Sequence, residues 1–206
     1  MNSNTMFKIS YGLYVLFTNC GKKMNGCIIN TVNQVTSQPN RITIAVSNAN
    51  YSCETIKKTG FFNVSILSEK AKFDIFKRFG FATGKDIDKL KDFLCDTANN
   101  GLPILKSDVS NGWLSCKVIE AKDLGTHTLF LADVLDAEII SEDEAMTYAY
   151  YHANVKPKPK ADETSKDVKK KGFRCVICGF VYEGETLPPD YICPLCKHGV
   201  DAFVPL

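Results

Sequence analysis

The residues best suited to chemistry are four cysteines near the end of the chain: Cys175, Cys178, Cys193 and Cys196. They form two Cys-x-x-Cys pairs in one short, turn-rich stretch. A tight turn between paired cysteines aims two sulfurs at one point, and two such turns complete a tetrahedron around one metal ion. Backbone N–H groups in those turns can donate to the sulfurs and stabilise the thiolate charge. Four thiolates suit zinc, which would be structural, or iron, which would be redox-active, and spacing does not decide between them. A segment this short has little core, so metal binding must supply much of its folding free energy. His198 adjoins the last ligand and reads as a surface residue, because four sulfurs already complete the shell.

A second set of candidates is polar. Asn25-Gly-Cys-Ile-Ile-Asn-Thr-Val-Asn-Gln-Val-Thr-Ser-Gln-Pro39 offers amide and hydroxyl side chains that could hydrogen-bond a heterocycle and its ribityl chain. Ser47-Asn-Ala-Asn-Tyr-Ser52 runs into the start of a predicted helix, where exposed N–H groups favour an anion such as phosphate. By residue type alone both are also ordinary turn segments. Cys20, Cys27, Cys53, Cys95 and Cys116 are scattered and read as small buried apolar residues, with Cys27 inside the polar stretch. There is no GxGxxG fingerprint, no P-loop and no second clustered set of metal ligands.

The elements that must position these residues are mostly strands. Short apolar, β-branched runs recur at Tyr11–Thr18, Arg41–Val46, Phe61–Leu67, Trp113–Val118 and Thr128–Leu135, each bounded by turn residues. Ser52–Thr59 and Ser68–Phe79 read as helices. The pattern predicts a mainly β, barrel-like domain with α insertions over residues 1–152. Composition then shifts: residues 153–171 are rich in lysine and proline, with almost no large apolar side chain. They read as a flexible linker that could span on the order of 50 Å when extended. Residues 172–206 form the metal module.

Bulk properties narrow the function class. The net charge is only +2, so no broad basic field points to nucleic acid. No stretch approaches the length of a membrane span, and the N-terminus lacks the apolar run of a signal peptide, so a cytoplasmic location is expected. Nine cysteines, an odd number, fit thiols and metal ligands in a reducing compartment better than a disulfide scaffold.

Several motifs then carry a resemblance. Cys-x-x-Cys-Gly-Phe-x-Tyr-x-x-Gly, Asp-Tyr-Ile-Cys-Pro-Leu-Cys and Asp201-Ala-Phe203, with five aromatics at Phe173, Phe180, Tyr182, Tyr191 and Phe203, resemble a rubredoxin of the short-spaced kind. That likeness implies one iron. Lys197 departs from it, standing where many rubredoxins have glycine. Asn25-Gly-x-x-x-Asn-Thr with Val-Thr-Ser-x-Pro39, Arg78-Phe-Gly-Phe-Ala-Thr-Gly-Lys-Asp-x-Asp-Lys89 and Gly125-Thr-His-Thr-Leu-Phe resemble the flavin reductase-like family with its FMN-binding split β-barrel. The fusion of the two resembles the high-molecular-weight rubredoxins of anaerobes.

The resemblance implies electron flow from NAD(P)H through FMN and iron to a partner such as a flavodiiron protein that reduces oxygen or nitric oxide. It also implies a homodimer with FMN near the subunit interface. Asn30 and Thr31 are expected at the flavin or its ribityl chain, and Ser47, Asn48, Asn50 and Ser52 near the phosphate. Asn48 departs from relatives that often carry a basic residue there, so Lys85 or Lys89 is expected to supply charge. His127 matches a histidine near the flavin or nicotinamide. No side chain is assigned as catalytic, since cofactors carry hydride and electrons. Two other readings stay open: an electron carrier that never oxidises nicotinamide, and a zinc-ribbon binding protein.

Overall fold

Val15, Leu16 and Phe17 are successive residues of a strand, so their side chains leave opposite faces, yet all three are fully buried. A strand buried on both faces needs a layer on each side, and this requirement organises the N-terminal domain. The computed structural model describes residues 5, 8–19, 21, 23–157, 172–176, 180–193 and 199–206. They fall into two compact units, Met1–Lys156 and Pro157–Leu206.

The first unit holds β1 (Tyr14–Asn19), β2 (Met24–Ile29), β3 (Val32–Ser37), β4 (Asn40–Ser47), α1 (Tyr51–Thr59), β5 (Phe61–Leu67) and α2 (Phe73–Gly80). A small hairpin of β6 (Asp96–Thr97) and β7 (Pro103–Ile104) follows, then the long pair β8 (Ser110–Asp123) and β9 (His127–Ile139). Seven strands form one antiparallel sheet in the order β2-β1-β5-β8-β9-β4-β3. The two edges, β2 and β3, are joined by only Asn30 and Thr31. So short a link brings the edges together at that point, and the sheet curls into a split β-barrel.

On one face, Leu16 packs with Ile44, Phe62, Val64, Phe130 and α1's Cys53 and Ile56. On the other, Val15 and Phe17 pack with α2's Ile75, Phe76 and Phe79. Each fully buried phenylalanine contributes about 2 kcal/mol of apolar burial.

Three differences from the sequence-based expectation have local causes. The polar stretch after Asn25 is mostly β2 and β3 rather than a loop between strands. Its amides and hydroxyls are compatible with strands because β3 is an exposed edge. α2 starts at Phe73, not Ser68: the Ser68 N–H donates to Val109 O (3.0 Å) and that of Glu69 to Glu144 O (2.9 Å), which commits Ser68 to a bridge and the residues after it to a turn. The domain also runs past residue 152. α3 (Tyr148–Tyr150) continues into a wider turn over Tyr151–Val155, and the Tyr151 ring stacks on Phe76 at 4.2 Å. The expected linker therefore loses its first residues to the domain's packing, and residues 158–171 lie outside the described residues.

The second unit contains β10 (Phe173–Cys175), β11 (Val181–Tyr182) and β12 (Phe203–Pro205), an antiparallel sheet in the order β11-β10-β12. Among the described residues, no helix is long and apolar enough to cross a membrane.

Candidate functional site

β4 lies between β3 and β9, and its last residues gather the expected polar side chains. The Thr31 hydroxyl donates to Ala45 O at 2.8 Å and accepts from Ala45 N at 3.2 Å. Two residues on, Ser47 pairs with His127 of β9. The end of β4 is thus flanked by Asn30 and Thr31 on one side and by His127 on the other. The chain then turns through residues 48–50 into α1.

Asn50 starts that helix. Its side chain accepts from Ser52 N at 3.0 Å, the bond expected of an N-cap. Gly60 closes the far end with φ 73°, its N–H bonded to Ile56 O. Ser52 is fully buried, and its hydroxyl accepts from Asn25 Nδ2 at 2.8 Å. The Asn25 amide oxygen is buried and finds no hydrogen bond. Gly84 lies against it so closely that any side chain there would collide with the carboxamide. Lys23 Nζ donates to Gly84 O at 2.8 Å and so ties the 81–86 segment across β2. Asn25 and Gly84 stand inside stretches read from the sequence, but Lys23 does not, and the pairings Asn25–Ser52 and Lys23–Gly84, 27 and 61 positions apart, leave no local signal.

Charge is placed unevenly. Lys85 is exposed, 3.5 Å from a Glu54 carboxylate oxygen and 5.5 Å from the Tyr51 ring centre, beside the first turn of α1. Lys89 is only 3% exposed, and its ammonium donates to Gly26 O (2.8 Å) and Phe79 O (3.2 Å). It joins no salt bridge among the described residues. Burial holds its pKa below the usual lysine range, opposed by nearby Cys27, whose own thiol is pushed up by burial. One of its two acceptors lies in the last turn of α2, where the helix dipole favours a cation. The lysine does not itself reach out to solvent.

The structure therefore brings Asn30, Thr31, Ser47, Asn48, Asn50, Lys85 and His127 along one rim. Ser52 and Lys89 lie inside it. His127 is exposed, with Nδ1 3.0 Å from Thr126 Oγ1. The half-buried amides and hydroxyls, the α1 N-terminus and the basic side chains suit a polar, anionic cofactor.

In the second unit, Cys175 and Cys193 are both fully buried in a cluster with Phe173, Phe180, Tyr182, Tyr191 and Phe203. Cys175 N donates to Phe180 O at 2.8 Å and Val176 N to Ala202 O at 2.8 Å, which closes the turn after β10 onto the neighbouring strand. Tyr191 packs between Tyr182 (ring centres 4.6 Å apart, tilted) and Phe203 (5.4 Å, edge-to-face). Two soft donors inside an aromatic shell suit a thiolate-bound metal. Cys178, Cys196, Lys197 and His198 lie outside the described residues.

Comparison with known proteins adds to this geometry. Residues 6–158 match the flavin reductase-like domain, and residues 173–204 match the rubrerythrin, rubredoxin-like domain. The chain is 31% identical to a high molecular weight rubredoxin of Moorella thermoacetica over 98% of this chain and 99% of that protein. It is 34% identical to a ferric-chelate reductase (NAD(P)H) of Archaeoglobus fulgidus over 77% of this chain and 93% of that protein. An NADH:FAD oxidoreductase of Streptomyces globisporus shares the fold with a TM-score of 0.63, at 19% identity over 70% of this chain and 84% of that one.

Proposed function

This chain belongs to the flavin reductase-like family and ends in a rubredoxin-like domain, and from that premise we propose an NAD(P)H-oxidising FMN protein that passes single electrons to its own iron centre. The observation that carries the reading is the joining, in one chain, of the polar rim around the α1 start and the aromatic-walled cysteine pair. Bound at these two places, a flavin converts a two-electron hydride into single electrons and an iron tetrathiolate carries them one at a time.

The chain's own residues supply binding and orientation. Asn30 and Thr31 face the ring system and ribityl chain. The α1 N-terminus, with Ser47, Asn50 and Lys85, takes the phosphate, while Lys89 adds buried positive charge beneath it. Ser52 supports the site from within by anchoring α1 to Asn25. His127 borders the place where nicotinamide stacks. Cys175, Cys178, Cys193 and Cys196 hold iron, and the half-buried aromatic shell limits water at the sulfurs.

A homodimer is part of the proposal. A groove of about 300 Å³, lined by Tyr14, Val32, Ile42, Ile66, Leu114 and Val134, leaves apolar sheet surface for a second copy to cover. The acceptor beyond the iron is a soluble redox partner such as a flavodiiron protein, reached without nucleic acid or membrane. The relative named for NAD(P)H supports nicotinamide as the donor. The test is to load the full chain with FMN and mix it anaerobically with NADH or NADPH. Rapid loss of flavin absorbance with one of them is expected. No loss with either overturns the nicotinamide step and favours an electron carrier reduced by another protein.

A further inference from the structure

We infer that Asn48 is a positioning residue: its carboxamide latches the tip of the β8–β9 hairpin, with Thr126 and His127, against the start of α1. This inference rests on the proposed nicotinamide reaction for its catalytic consequence, and on hydrogen-bond geometry alone for the latch.

The tip needs such a device. Residues 121–127 are all exposed, and the turn reverses at Gly125 with φ 88°. Apart from the ladder, the turn is closed by Leu124 N to His127 O (2.8 Å) and by Gly125 N to the Asp123 carboxylate (2.7 Å). A long exposed hairpin held only by its own ladder frays at its end.

Asn48 ties it down from another element. Nδ2 donates to Gly125 O at 2.7 Å and to Asp123 Oδ1 at 3.3 Å. Oδ1 accepts from Thr128 Oγ1 at 2.6 Å and from the Cys53 thiol at 3.5 Å. The backbone joins in, with Asn48 N donating to Thr126 O at 2.9 Å. A carboxamide has two N–H bonds and two oxygen lone pairs, and all four are used here. One side chain thus binds the hairpin turn, β9 and the first turn of α1 together.

Two consequences follow. A carboxamide engaged in this way has no donor left for a cofactor phosphate, so Asn48 serves the site by placing its neighbours. A basic side chain at this position could not accept from Thr128 and Cys53, since lysine and arginine have no acceptor. The asparagine therefore exchanges a phosphate charge for a fixed hairpin. What is fixed is the rim that carries His127, whose backbone is paired with Ser47 beside the α1 start.

The experiment compares the full-length wild type with Asn48→Ala, Asn48→Lys and Thr128→Val. It measures hydrogen exchange over residues 122–128, FMN affinity by fluorescence quenching, and KM and kcat for nicotinamide at saturating FMN. In Asn48→Ala, exchange at the hairpin tip should rise about tenfold and the nicotinamide KM several-fold, while FMN affinity stays within about twofold. Asn48→Lys should loosen the tip equally and bind FMN at least as tightly as wild type. Thr128→Val removes one of the four contacts and should show the same changes at smaller size, which keeps the test available if Asn48→Ala folds poorly.

Unchanged exchange in all three variants overturns the latch. A large loss of FMN affinity in Asn48→Ala, with exchange and KM unchanged, would make Asn48 a direct phosphate ligand. Faster exchange with an unaltered KM would remove the positioning role. If the wild type is not reduced by either nicotinamide, the proposed function fails, and with it the catalytic role; the exchange comparison still decides the latch.

Discussion

The two units solve the problem of holding a redox centre in opposite ways. In the N-terminal domain the core is a barrel with fully buried Phe17, Phe62 and Phe130, and the polar rim is laid over it. In the C-terminal unit the buried set is small, and two of its four fully described members are cysteines: Cys175, Cys193, Ala202 and Phe203. There the proposed ligands are themselves core residues. A cofactor added to the first unit stabilises a fold already formed, whereas a metal in the second is part of the folding free energy.

The largest expected effect breaks this contrast at its weaker side. Cys175→Ser, or metal removal by acid and chelator, should abolish metal binding and unfold the C-terminal unit. The N-terminal domain should keep its melting transition and its FMN binding. Metal analysis with limited proteolysis checks this, and co-operative loss of both units would refute the independence described above.

Lys89→Met tests the barrel side. It leaves Gly26 O and Phe79 O without their buried donor, so a loss of about 2 kcal/mol or more is expected in denaturant unfolding, together with weaker FMN binding. The pH dependence has a definite sign. Burial lowers this lysine's folded pKa, so between that value and 10.5 the folded chain binds fewer protons than the unfolded chain. Its contribution to stability therefore rises with pH through that window, and Lys89→Met should flatten the rise.

Asn50→Ala should cost about 1 kcal/mol as the lost N-cap of α1, with a measurable drop in FMN affinity. Lys85→Ala sharpens the comparison most finely. Its ion pair with Glu54 is exposed, so stability should change by less than about 0.5 kcal/mol. FMN affinity should fall more clearly, and the fall should shrink as salt rises. A change in stability without a change in affinity would place the phosphate elsewhere.

The same contrast explains what could be read from the sequence. The cysteines of each Cys-x-x-Cys pair are only three residues apart, so the metal module was legible before any fold was known. Five strands were also legible, because short apolar runs bounded by turn residues, such as Phe61–Leu67, mark a strand without knowledge of its neighbours. The rim proposed to hold flavin was compatible with ordinary turns by residue type, and family likeness was what favoured the cofactor reading. Asn48 shows why. Its residue type fits a phosphate ligand as well as a latch, and only contacts 75 to 80 positions away distinguish the two. Lys89 likewise reads as a charge available to the phosphate, yet the fold draws it inside to two carbonyls on different elements. The start of α2 was misplaced because Ser68 resembles a helix cap locally, while strand-like bonds to Val109 and Ala145 prevail.

The most direct test of the central claim follows both centres in one anaerobic experiment. Full-length protein loaded with FMN and iron is mixed with the active nicotinamide, and the visible spectrum is recorded over time. Loss of the flavin band followed by loss of the ferric tetrathiolate band in the same molecules is the predicted result, with Cys175→Ser showing only the first. Flavin reduction that leaves the iron band of the wild type untouched would contradict electron transfer from the barrel domain to the cysteine module.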